Sequence, residues 1–599
     1  MFHKDSKISR RTFVKGAVAA SIIVTVPLSL QAKTTITQRQ ESVEIRGNEF
    51  HLSIVKTAVN ITGVPAIATL VDGMISGPTL RWKEGEKVTI HVTNQLTEDT
   101  SIHWHGIILP TDMDGVPDIS FMGIKPGETF TYHFKVIQSG TFWYHSHSGF
   151  QEQTGIYGAI VIDPIIPDPY KYDKEYVITL SDWSDENPVT VFRKLKISSD
   201  YYNFKKRTGG DFFSEVKEKG FFTAFNERKM WNEMAMTDRD LSDVTGYTYT
   251  YLMNGVNPAT IFKALFKNGD KIRLRFINSA SMTFFDVMIP GLKMTVVASD
   301  GNNIQPVSVD EFRIGVAETY DVIVEPEENH AYAIFAQSLD RSGYALGALT
   351  YDENIITNTP PMDPLPILTH ADMGMSMSSS NMDHSSQDMS AMPSVPTIEK
   401  ESAMKCGGGM KMPINHSSKN NDLKKSPIPI TPLEEDQGVQ TTMRAMNPQY
   451  RLDDPGVGLR NNTRKVLTYA DLKSLVSTKH DKYPEREIIL HLTGNMERYM
   501  WSINGIAYKD AKPLEFKYGE RLRITYINDT MMNHPMHLHG MWSDLETGDD
   551  NYLPKKHTII VQPGSKISFR VNVDAKGSWA FHCHLLYHMA GMFRKVVVA

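Results

Sequence analysis

Short apolar runs alternate with polar residues along most of the chain, and turns containing Gly or Pro separate them. Segments 88–92, 272–276 and 522–526 alternate or are β-branched, and a Gly-Glu or Gly-Asp pair precedes each. This pattern is typical of strands with one buried face. Many short strands between turns predict an all-β protein of Greek-key β-sandwiches. Residues 191–245 lack the strand pattern, and their charged and aromatic mixture predicts a partly helical insertion.

The strand pattern occurs three times. In each copy an Asn follows a Gly by nine residues, and a third marked position follows the Asn by nine more. The three sets are Gly85, Asn94 and His103; Gly269, Asn278 and Val287; and Gly519, Asn528 and His537. The third position is therefore His in the first and third copies and Val in the second. The Pro-Gly pair at 126–127 precedes His145 by the same number of residues as the pair at 563–564 precedes His582. At the position of His-Ser-His, the middle copy has Phe335-Ala336-Gln337. The repeat predicts domains at 42–165, 170–355 and 441–599, and no metal ligands in the second.

Ten of the 21 histidines fall in four short clusters. They are His-Trp-His-Gly at 103–106, His-Ser-His at 145–147, His-Pro-Met-His-Leu-His-Gly at 534–540, and His-Cys-His-Leu-Leu-Tyr-His at 582–588. Imidazole is the commonest metal ligand, and a thiolate among histidines selects copper over magnesium or calcium. The clusters therefore predict a copper protein, because structural histidines would otherwise each need their own buried partners.

A His-x-His pair on a strand directs both rings to one face. The first and third predicted domains each carry two such pairs, and neither domain completes a site alone. We predict that the pairs meet across an interface between these domains, where eight imidazoles suit three coppers with open positions. The eight are His103, His105, His145, His147, His537, His539, His582 and His584.

The remaining ligands describe a second site within the third domain. Cys583, His534 and His588 form a Cys-His₂ set, and Met592 follows. A trigonal His₂Cys site with a weak axial Met is the blue-copper electron-transfer site. Because His582 and His584 flank Cys583, one electron can pass from this site to the eight histidines through a few covalent bonds. Ser146 stands at the matching position of the first domain, so we expect one blue site.

The four motifs resemble the copper-binding motifs of multicopper oxidases, and the resemblance spans all three domains. It implies cupredoxin-like domains and four copper ions, with His103 and His537 on the type 2 copper. It implies that His534, Cys583 and His588 bind the type 1 copper, with Cys583 also carrying electrons. The implied type 3 ligands are His105, His145, His147, His539, His582 and His584. The implied reaction couples four one-electron oxidations to reduction of O₂ to two waters.

Finer features resemble one bacterial branch of this family, the copper-resistance protein A type. They are the motifs at 234–237, 243–247, 251–255, 382–385 and 582–589. This branch implies that Cu(I) is the reductant, with laccase-like oxidation of phenols as a further activity.

Two residues near the motifs carry open predictions. Asp114 stands where family members have an acid near the trinuclear centre, so we assign it proton delivery; a structural role in its Asp-Gly turn is the alternative. Met592 comes nine residues after Cys583, whereas the family usually has its axial Met at ten. Either the loop is one residue tighter or the axial bond is altered, and Met589 is the alternative ligand.

A segment of different composition separates the second and third domains. From Asp352 to Gln449 there is no Phe, Trp or Tyr, against 10% aromatic residues in the whole chain. We predict a flexible, low-complexity linker at 356–440. Its methionines lack aromatic or aliphatic partners, so we expect no core packing and assign them to accessory copper binding; a solvated linker is the alternative. The accessory set is Met373, Met375, Met377, Met382, His384, Met389 and Met392.

The N-terminal residues predict export. Ser9-Arg10-Arg11-Thr12-Phe13 resembles a twin-arginine signal, and a short apolar stretch follows, so we predict removal of 1–32 and a periplasmic location. No segment of the chain has the length and hydropathy of a stable membrane span. Segment 1–32 carries five Lys/Arg and one Asp, so its loss takes the net charge from −6 to −10. Such acidity argues against nucleic acid as a partner.

Two functional classes remain open. One is an oxidase that uses O₂ with Cu(I) or phenols. The other is a periplasmic protein that sequesters copper mainly through the Met-rich segment. We expect a monomer, with periplasmic copper-handling proteins as candidate partners.

Overall fold

The computed structural model describes residues 43–203, 205–233, 236–326, 330–375 and 428–599. The predicted signal at 1–32 lies outside these residues. Within the described ranges, no helix combines the length and apolar character needed to cross a membrane.

Two sheets built from residues between 44 and 163 form the first sandwich. Its strands are β1 (Glu44–Arg46), β2 (Glu49–Asn60), β3 (Pro65–Val71), β4 (Thr79–Lys83), β5 (Lys87–Asn94), β6 (His103–His105), β7 (Thr129–Lys135), β8 (Gly140–His145) and β9 (Tyr157–Asp163). One sheet has the order β1-β4-β9-β8-β6 and the other β3-β2-β5-β7. Sequence neighbours such as β4 and β5 lie in different sheets, as expected for a Greek key.

The middle sandwich has the same plan and carries the helices. Its strands are β10 (Lys174–Trp183), β11 (Thr250–Met253), β12 (Phe262–Leu265), β13 (Ile272–Asn278), β14 (Phe285–Met288), β15 (Met294–Ser299), β16 (Asn302–Val309), β17 (Glu311–Ile314), β18 (Thr319–Val324), β19 (Tyr332–Ser338) and β20 (Tyr344–Thr350). The sheet orders are β11-β10-β13-β18-β15-β16 and β12-β20-β19-β14-β17. Helices α1 (Pro188–Ile197), α2 (Gly209–Lys219) and α3 (Phe221–Glu233) confirm the predicted helical insertion.

The third sandwich completes the chain. Its strands are β21 (Gln449–Tyr450), β22 (Arg486–Asn495), β23 (Met500–Ile503), β24 (Leu514–Phe516), β25 (Arg521–Asn528), β26 (His534–Leu538), β27 (Ser543–Leu545), β28 (Lys555–Lys556), β29 (Thr558–Val561), β30 (Ser565–Asn572), β31 (Gly577–Cys583) and β32 (Phe593–Val598). Its sheets have the orders β23-β22-β25-β30-β27-β28 and β24-β32-β31-β26-β29. The three sandwiches confirm the predicted all-β fold; the exact domain limits stay a prediction.

The repeated Asn makes the same hydrogen bonds to the backbone in each sandwich. Asn94 donates its amide to the carbonyls of Glu98 and Ile124, and its Oδ1 accepts from the Leu96 backbone. Asn278 and Asn528 make the equivalent bonds, and all three are fully buried. A buried side chain that satisfies three backbone groups fixes the loop after the strand. That loop leads into β6, β14 or β26, so in the first and third sandwiches the Asn helps to fix where the first histidine pair begins.

The middle sandwich departs from the predicted alternation in β13. In an alternating strand with one buried face Arg273 and Arg275 would face solvent, but both are buried. Their guanidinium groups lie 2.7 and 2.8 Å from Asp321 Oδ2, and Arg275 also donates to Thr141 of the first sandwich. The strand is covered because β8 packs on it, so its polar residues form an interface between sandwiches.

The pairing of the ligand strands shows how the repeats correspond. His103 pairs with His145 between β6 and β8, and His537 pairs with His582 between β26 and β31. In the middle sandwich Val287 pairs with Ala336 rather than Phe335. The register of that copy therefore differs by one residue from our sequence alignment, in a sandwich where no metal has to be held.

Part of the predicted linker packs on the body of the protein. Leu368 and Met373 are buried, and the Gly374 carbonyl accepts from the Asn447 backbone at 2.8 Å. On the other side of the segment, Thr431 pairs with Glu487 through the backbone. Residues 376–427, with most of the predicted accessory ligands, lie outside the described residues.

Candidate metal centre

Eight histidines from the first and third sandwiches meet in one place, as the sequence predicted. We call them the histidine cluster: His103, His105, His145, His147, His537, His539, His582 and His584. The contact crosses between sandwiches, because the ring of His103 stacks on that of His539 at 4.0 Å and that of His105 on that of His537 at 3.8 Å. Seven of the eight are buried, and His147 is partly exposed.

Outward-facing nitrogens of the cluster have fixed acceptors. His103 Nδ1 lies 2.8 Å from the Asp114 carbonyl oxygen, and His537 Nδ1 lies 2.6 Å from that of His557. His582 Nδ1 lies 3.0 Å from the neighbouring carbonyl oxygen. Such bonds hold the proton on the outer nitrogen and leave the inner lone pair available to a metal.

Inward-facing nitrogens have no such partners. His539 Nε2 and His582 Nε2 face each other at 3.1 Å, as do His145 Nε2 and His584 Nε2 at 3.3 Å. Four further nitrogens of the cluster are buried with no hydrogen-bond partner: His103 Nε2, His105 Nδ1, His147 Nε2 and His537 Nε2. Burying several converging nitrogen lone pairs without hydrogen-bond donors costs folding free energy unless a cation binds them. These residues therefore fit metal ions.

Burial also sets the protonation of the rings. Desolvation, aided by a coulombic interaction with His103, lowers the pKa of His582 to about 4. The pKa of His105 falls well below the ordinary value for the same reason, with further lowering by His537 and His557. Neutral imidazole is the form that binds metals, so the site is ready for metal at neutral pH.

Cys583, His534 and His588 form a second, separate group, which we call the cysteine site. Cys583 Sγ lies 3.5 Å from His534 Nδ1 and 3.7 Å from His588 Nδ1, and these two nitrogens are 3.4 Å apart. The Nε2 atoms point away, at 2.7 Å from Thr530 Oγ1 and 2.6 Å from Asp243 Oδ2. The structure thus brings together the three residues of the predicted Cys-His₂ set, and three fully buried soft and borderline donors in a triangle fit copper.

The loop after the cysteine site is tight. The His588 carbonyl accepts from both Gly591 N at 3.1 Å and Met592 N at 2.9 Å, and the Met592 carbonyl accepts from Cys583 N at 3.0 Å. A side chain at Gly591 would collide with the Trp501 carbonyl oxygen. Met592 is fully buried and Met589 only partly so, which favours the tighter-loop interpretation with Met592 beside the site.

Three sequence models of the multicopper oxidase family match the chain, at residues 53–165, 174–354 and 481–599. The chain belongs to the multicopper oxidase family. Copper binding and oxidoreductase chemistry with O₂ and a reductant come with that membership.

Relatives cover nearly the whole chain of this multicopper oxidase. It is 53% identical to copper resistance protein A of Escherichia coli over 99% of both chains. It is 52% identical to copper resistance protein A of Pseudomonas syringae pv. tomato over 99% of this chain and 100% of the relative. Among solved structures, Fet3p, a multicopper oxidase that functions in iron import, superposes with a TM-score of 0.62 at 18% identity, covering 92% and 90% of the chains. The laccase from Botrytis aclada gives 0.60 at 21% identity, covering 93% and 88%.

Asp114 lies against two histidines of the oxidase from different sandwiches. Its Oδ2 is 2.9 Å from His539 Nδ1, and its Oδ1 is 3.3 Å from His103 Nδ1. The turn is tightly packed, because a side chain at Gly115 would collide with the Ile102 carbonyl. Asp114 therefore orients two imidazoles; its role in proton delivery stays a prediction.

Sequence analysis missed several residues that touch the site. Glu152 Oε2 lies 2.9 Å from His145 Nδ1, and burial raises the pKa of this carboxyl well above its usual value. Asp243 contacts His588 and accepts from Tyr499 OH at 2.9 Å. His557 Nδ1 is 3.2 Å from His105 Nε2. Asp243 gave a signal as part of the 243–247 motif, and Glu152 stands only five residues after His147. The contact of His557 with His105 depends on packing between distant segments.

The accessory set is corrected at its first two members. Met373 and Met375 were expected to be free of core packing, but Met373 is fully buried in the apolar core and Met375 packs against that core. The backbone is held there by Arg451, which donates to the Asp372 carbonyl at 2.8 Å. Local composition missed this because the apolar partners come from the sandwiches. The remaining predicted ligands are Met377, Met382, His384, Met389 and Met392, which lie outside the described residues.

Proposed function

We propose that this multicopper oxidase oxidises Cu(I) to Cu(II), with phenols as further reductants, and passes the electrons to O₂. Four Cu(I) ions release four electrons, and O₂ takes these and four protons to form two waters. The four resident copper ions would be held as the motifs imply, one at the cysteine site and three at the histidine cluster. Copper supplies one-electron redox chemistry and O₂ binding at these ligands.

The observation that carries the proposal is the position of Cys583 between the two sites. Its Sγ faces His534 and His588, while the rings of its chain neighbours His582 and His584 face the histidine cluster. A sequestering protein has no need for a covalent connection between two buried sites. An oxidase does, because electrons taken one at a time must reach O₂.

Within the cluster we assign type 2 copper to His103 and His537. The other six histidines would hold the type 3 pair. Cys583, His534 and His588 would hold type 1 copper, with Met592 as the weak axial ligand. The division into types follows the motifs. The hydrogen bonds to outer nitrogens support metal binding by these rings, because each bond fixes one tautomer before metal binds.

Carboxylates around the ligands have separate roles in the proposal. Asp243 holds the proton on His588 Nε2, so that Nδ1 stays free for copper. Asp114 holds His539 and His103 in place, and we propose that it also supplies protons to the cluster as O₂ is reduced. The Ser146 carbonyl accepts the His145 Nδ1 proton at 3.0 Å, and the Glu152 carboxyl lies beside the same nitrogen at 2.9 Å.

The test is O₂ uptake by purified, copper-loaded protein supplied with Cu(I). The wild type should consume about one O₂ for four Cu(I), and Cys583→Ser should lose both turnover and the blue absorption band while keeping copper at the histidine cluster. Cys406→Ser is the matched control, because Cys406 is the other cysteine of the chain and should leave colour and rate unchanged. Undiminished uptake in Cys583→Ser would contradict the electron route.

A second function rests on the composition of the linker. Met377, Met382, Met389 and Met392 with His384 offer soft ligands for Cu(I), so copper sequestration is the alternative. Copper bound in excess of the resident sites, without O₂ uptake, would favour it.

Location and assembly remain proposals as well. We propose export to the periplasm through the Arg10-Arg11 signal, function there as a monomer, and exchange of copper with other periplasmic proteins. The double variant Arg10→Lys/Arg11→Lys should block export. Retention of the wild-type protein in the cytoplasm would contradict the proposal.

A further inference from the structure

A turn of the middle sandwich reaches between the two sandwiches that carry the histidine cluster. The turn joins β15 to β16 and consists of Asp300 and Gly301. A side chain at Gly301 would collide with Phe142 of β8, and one at Gly140 would collide with the Gly301 carbonyl. Asp300 has a positive φ of 47°, which non-Gly residues adopt rarely, although Asp and Asn tolerate it best. The turn is therefore fixed against the first sandwich by contacts that leave no room.

The Asp300 carboxylate is directed to the third sandwich. Its Oδ2 accepts from His557 N at 3.0 Å and from Thr558 N at 3.1 Å. The same oxygen lies 3.1 Å from Lys556 Nζ. Its Oδ1 accepts from Thr319 N of the middle sandwich at 3.1 Å. One buried carboxylate thus holds three consecutive residues of another sandwich.

Two of those residues, His557 and Thr558, are in direct contact with the histidine cluster. The His557 carbonyl accepts from His537 Nδ1 at 2.6 Å. His105 Nε2 lies 3.2 Å from His557 Nδ1 and 3.2 Å from Thr558 Oγ1. His537 and His105 thus depend for their outer hydrogen bonds on residues 557–558, whose backbone Asp300 holds.

A buried cation adds to the hold. Lys556 is fully buried and lies 3.0 Å from Glu318 Oε1, in addition to Asp300. Glu318 belongs to the middle sandwich and also accepts from Tyr469 OH at 2.7 Å. Removing one partner of a buried ion pair leaves an uncompensated charge, so this contact resists separation of the sandwiches.

We propose that Asp300 is a positioning residue for the trinuclear copper centre, through which the middle sandwich, itself without ligands, sets the orientation of His105 and His537. The inference rests on the proposed function only in taking these two histidines as copper ligands. The proposal gives the middle repeat a role. This repeat has no His-x-His pairs of its own, but it orients ligands of a centre formed by the two neighbouring sandwiches.

Asp300→Asn is the test variant. Asn tolerates the positive φ and has the same size, but its single oxygen cannot accept on both sides as the carboxylate does. Groups bonded directly to ligand imidazoles typically contribute about 10- to 100-fold to metal affinity. Asp300 acts through such groups, so copper affinity at the trinuclear centre should fall by up to about that factor. Titration with copper, the type 2 electron paramagnetic resonance signal and the type 3 absorption band would report the loss. The blue band should stay, because Asp300 makes no contact in the cysteine site.

Two matched variants separate positioning from general loss of stability. Glu318→Gln weakens the ion pairing of the buried Lys556 but leaves the backbone amides of His557 and Thr558 bound to Asp300. Asp286→Asn breaks another buried ion pair of the middle sandwich, in which Asp286 lies 2.7 Å from Arg313 and 2.7 Å from Arg341. Both should lower the melting temperature and keep the trinuclear signals.

The outcomes are distinct. Trinuclear signals lost in Asp300→Asn and kept in both controls would support the proposal. Signals kept in Asp300→Asn, or lost equally in all three variants, would overturn it. Wild-type protein that binds copper only at the cysteine site would contradict the proposed function itself, and the role of Asp300 with it.

Discussion

Asp243 Oδ2 lies 2.6 Å from His588 Nε2, although 345 residues separate them. Asp243 comes from the segment after α3 of the middle sandwich, and His588 is a ligand of the cysteine site in our proposal. The carboxylate is buried, and desolvation raises its pKa to about 7. A buried acid on the outer nitrogen of a ligand imidazole fixes its tautomer and orientation.

We expect Asp243→Asn to keep the blue band and lower kcat/KM for Cu(I) by about 10- to 100-fold, because the acceptor for the His588 proton is weakened. The matched control is Asp240→Asn. Asp240 is equally buried but bonds to Asn203 at 3.1 Å and has no contact with His588. Steady-state kinetics together with the type 1 reduction potential would check this. Equal losses in both variants would point to folding instead.

Met592 should behave as the axial ligand of the cysteine site. Met592→Leu removes the thioether while filling the same space, so the type 1 reduction potential should rise because the oxidised form loses a donor. The blue band should remain, since it depends on Cys583. Met589→Leu is the control and should leave the potential unchanged. A shift in Met589→Leu alone would reassign the axial position.

The Met-rich segment should affect the supply of Cu(I) and not the resident copper sites. The test is a deletion of 376–412. This deletion keeps Asp372–Gly374, because Asp372 and Gly374 are hydrogen-bonded to the third sandwich. We expect slower Cu(I) oxidation at low Cu(I) with an intact blue band. A chain of unchanged length in which the seven methionines of that segment are Ser should match the deletion. Loss of the blue band in either variant would contradict separate roles.

Copper-free protein should lose stability as the pH falls. The pKa of His582 is lowered by burial from 6.5 to about 4, so the unfolded chain binds more protons between these values. The contribution is complete above about pH 6.5 and is lost as the pH falls through about 4, amounting to about 3 kcal/mol for this ring. Melting temperatures from pH 7.5 to 4.5 would measure it.

Copper-loaded protein is the control for that experiment. Bound copper occupies the nitrogens that protons would take, so its melting temperature should fall less until copper is released. An apo-protein whose stability does not change over this range would contradict neutral, buried imidazoles.

The sequence by itself determined the features that depend on local periodicity and spacing. Alternation gave the strands, and the repeated Gly and Asn gave three related sandwiches. His-x-His gave rings on one face, because strand side chains alternate. The two metal groups followed, since Cys583 and its flanking histidines must point to opposite sides. The paired registers of His103 with His145 and of His537 with His582 agree with that alignment.

Only the tertiary structure decided what surrounds these ligands. Asp243 and Asp300 come from segments far from the histidines they support. Glu152 follows His147 by five residues, but spacing along the chain does not show that its carboxyl will be buried against an imidazole. The burial of Arg273 and of Met373 has the same origin, because neighbouring sandwiches or distant strands cover them. Spacing along the chain fixes which side chains share a strand face; which distant groups complete their hydrogen bonds depends on how whole sandwiches pack.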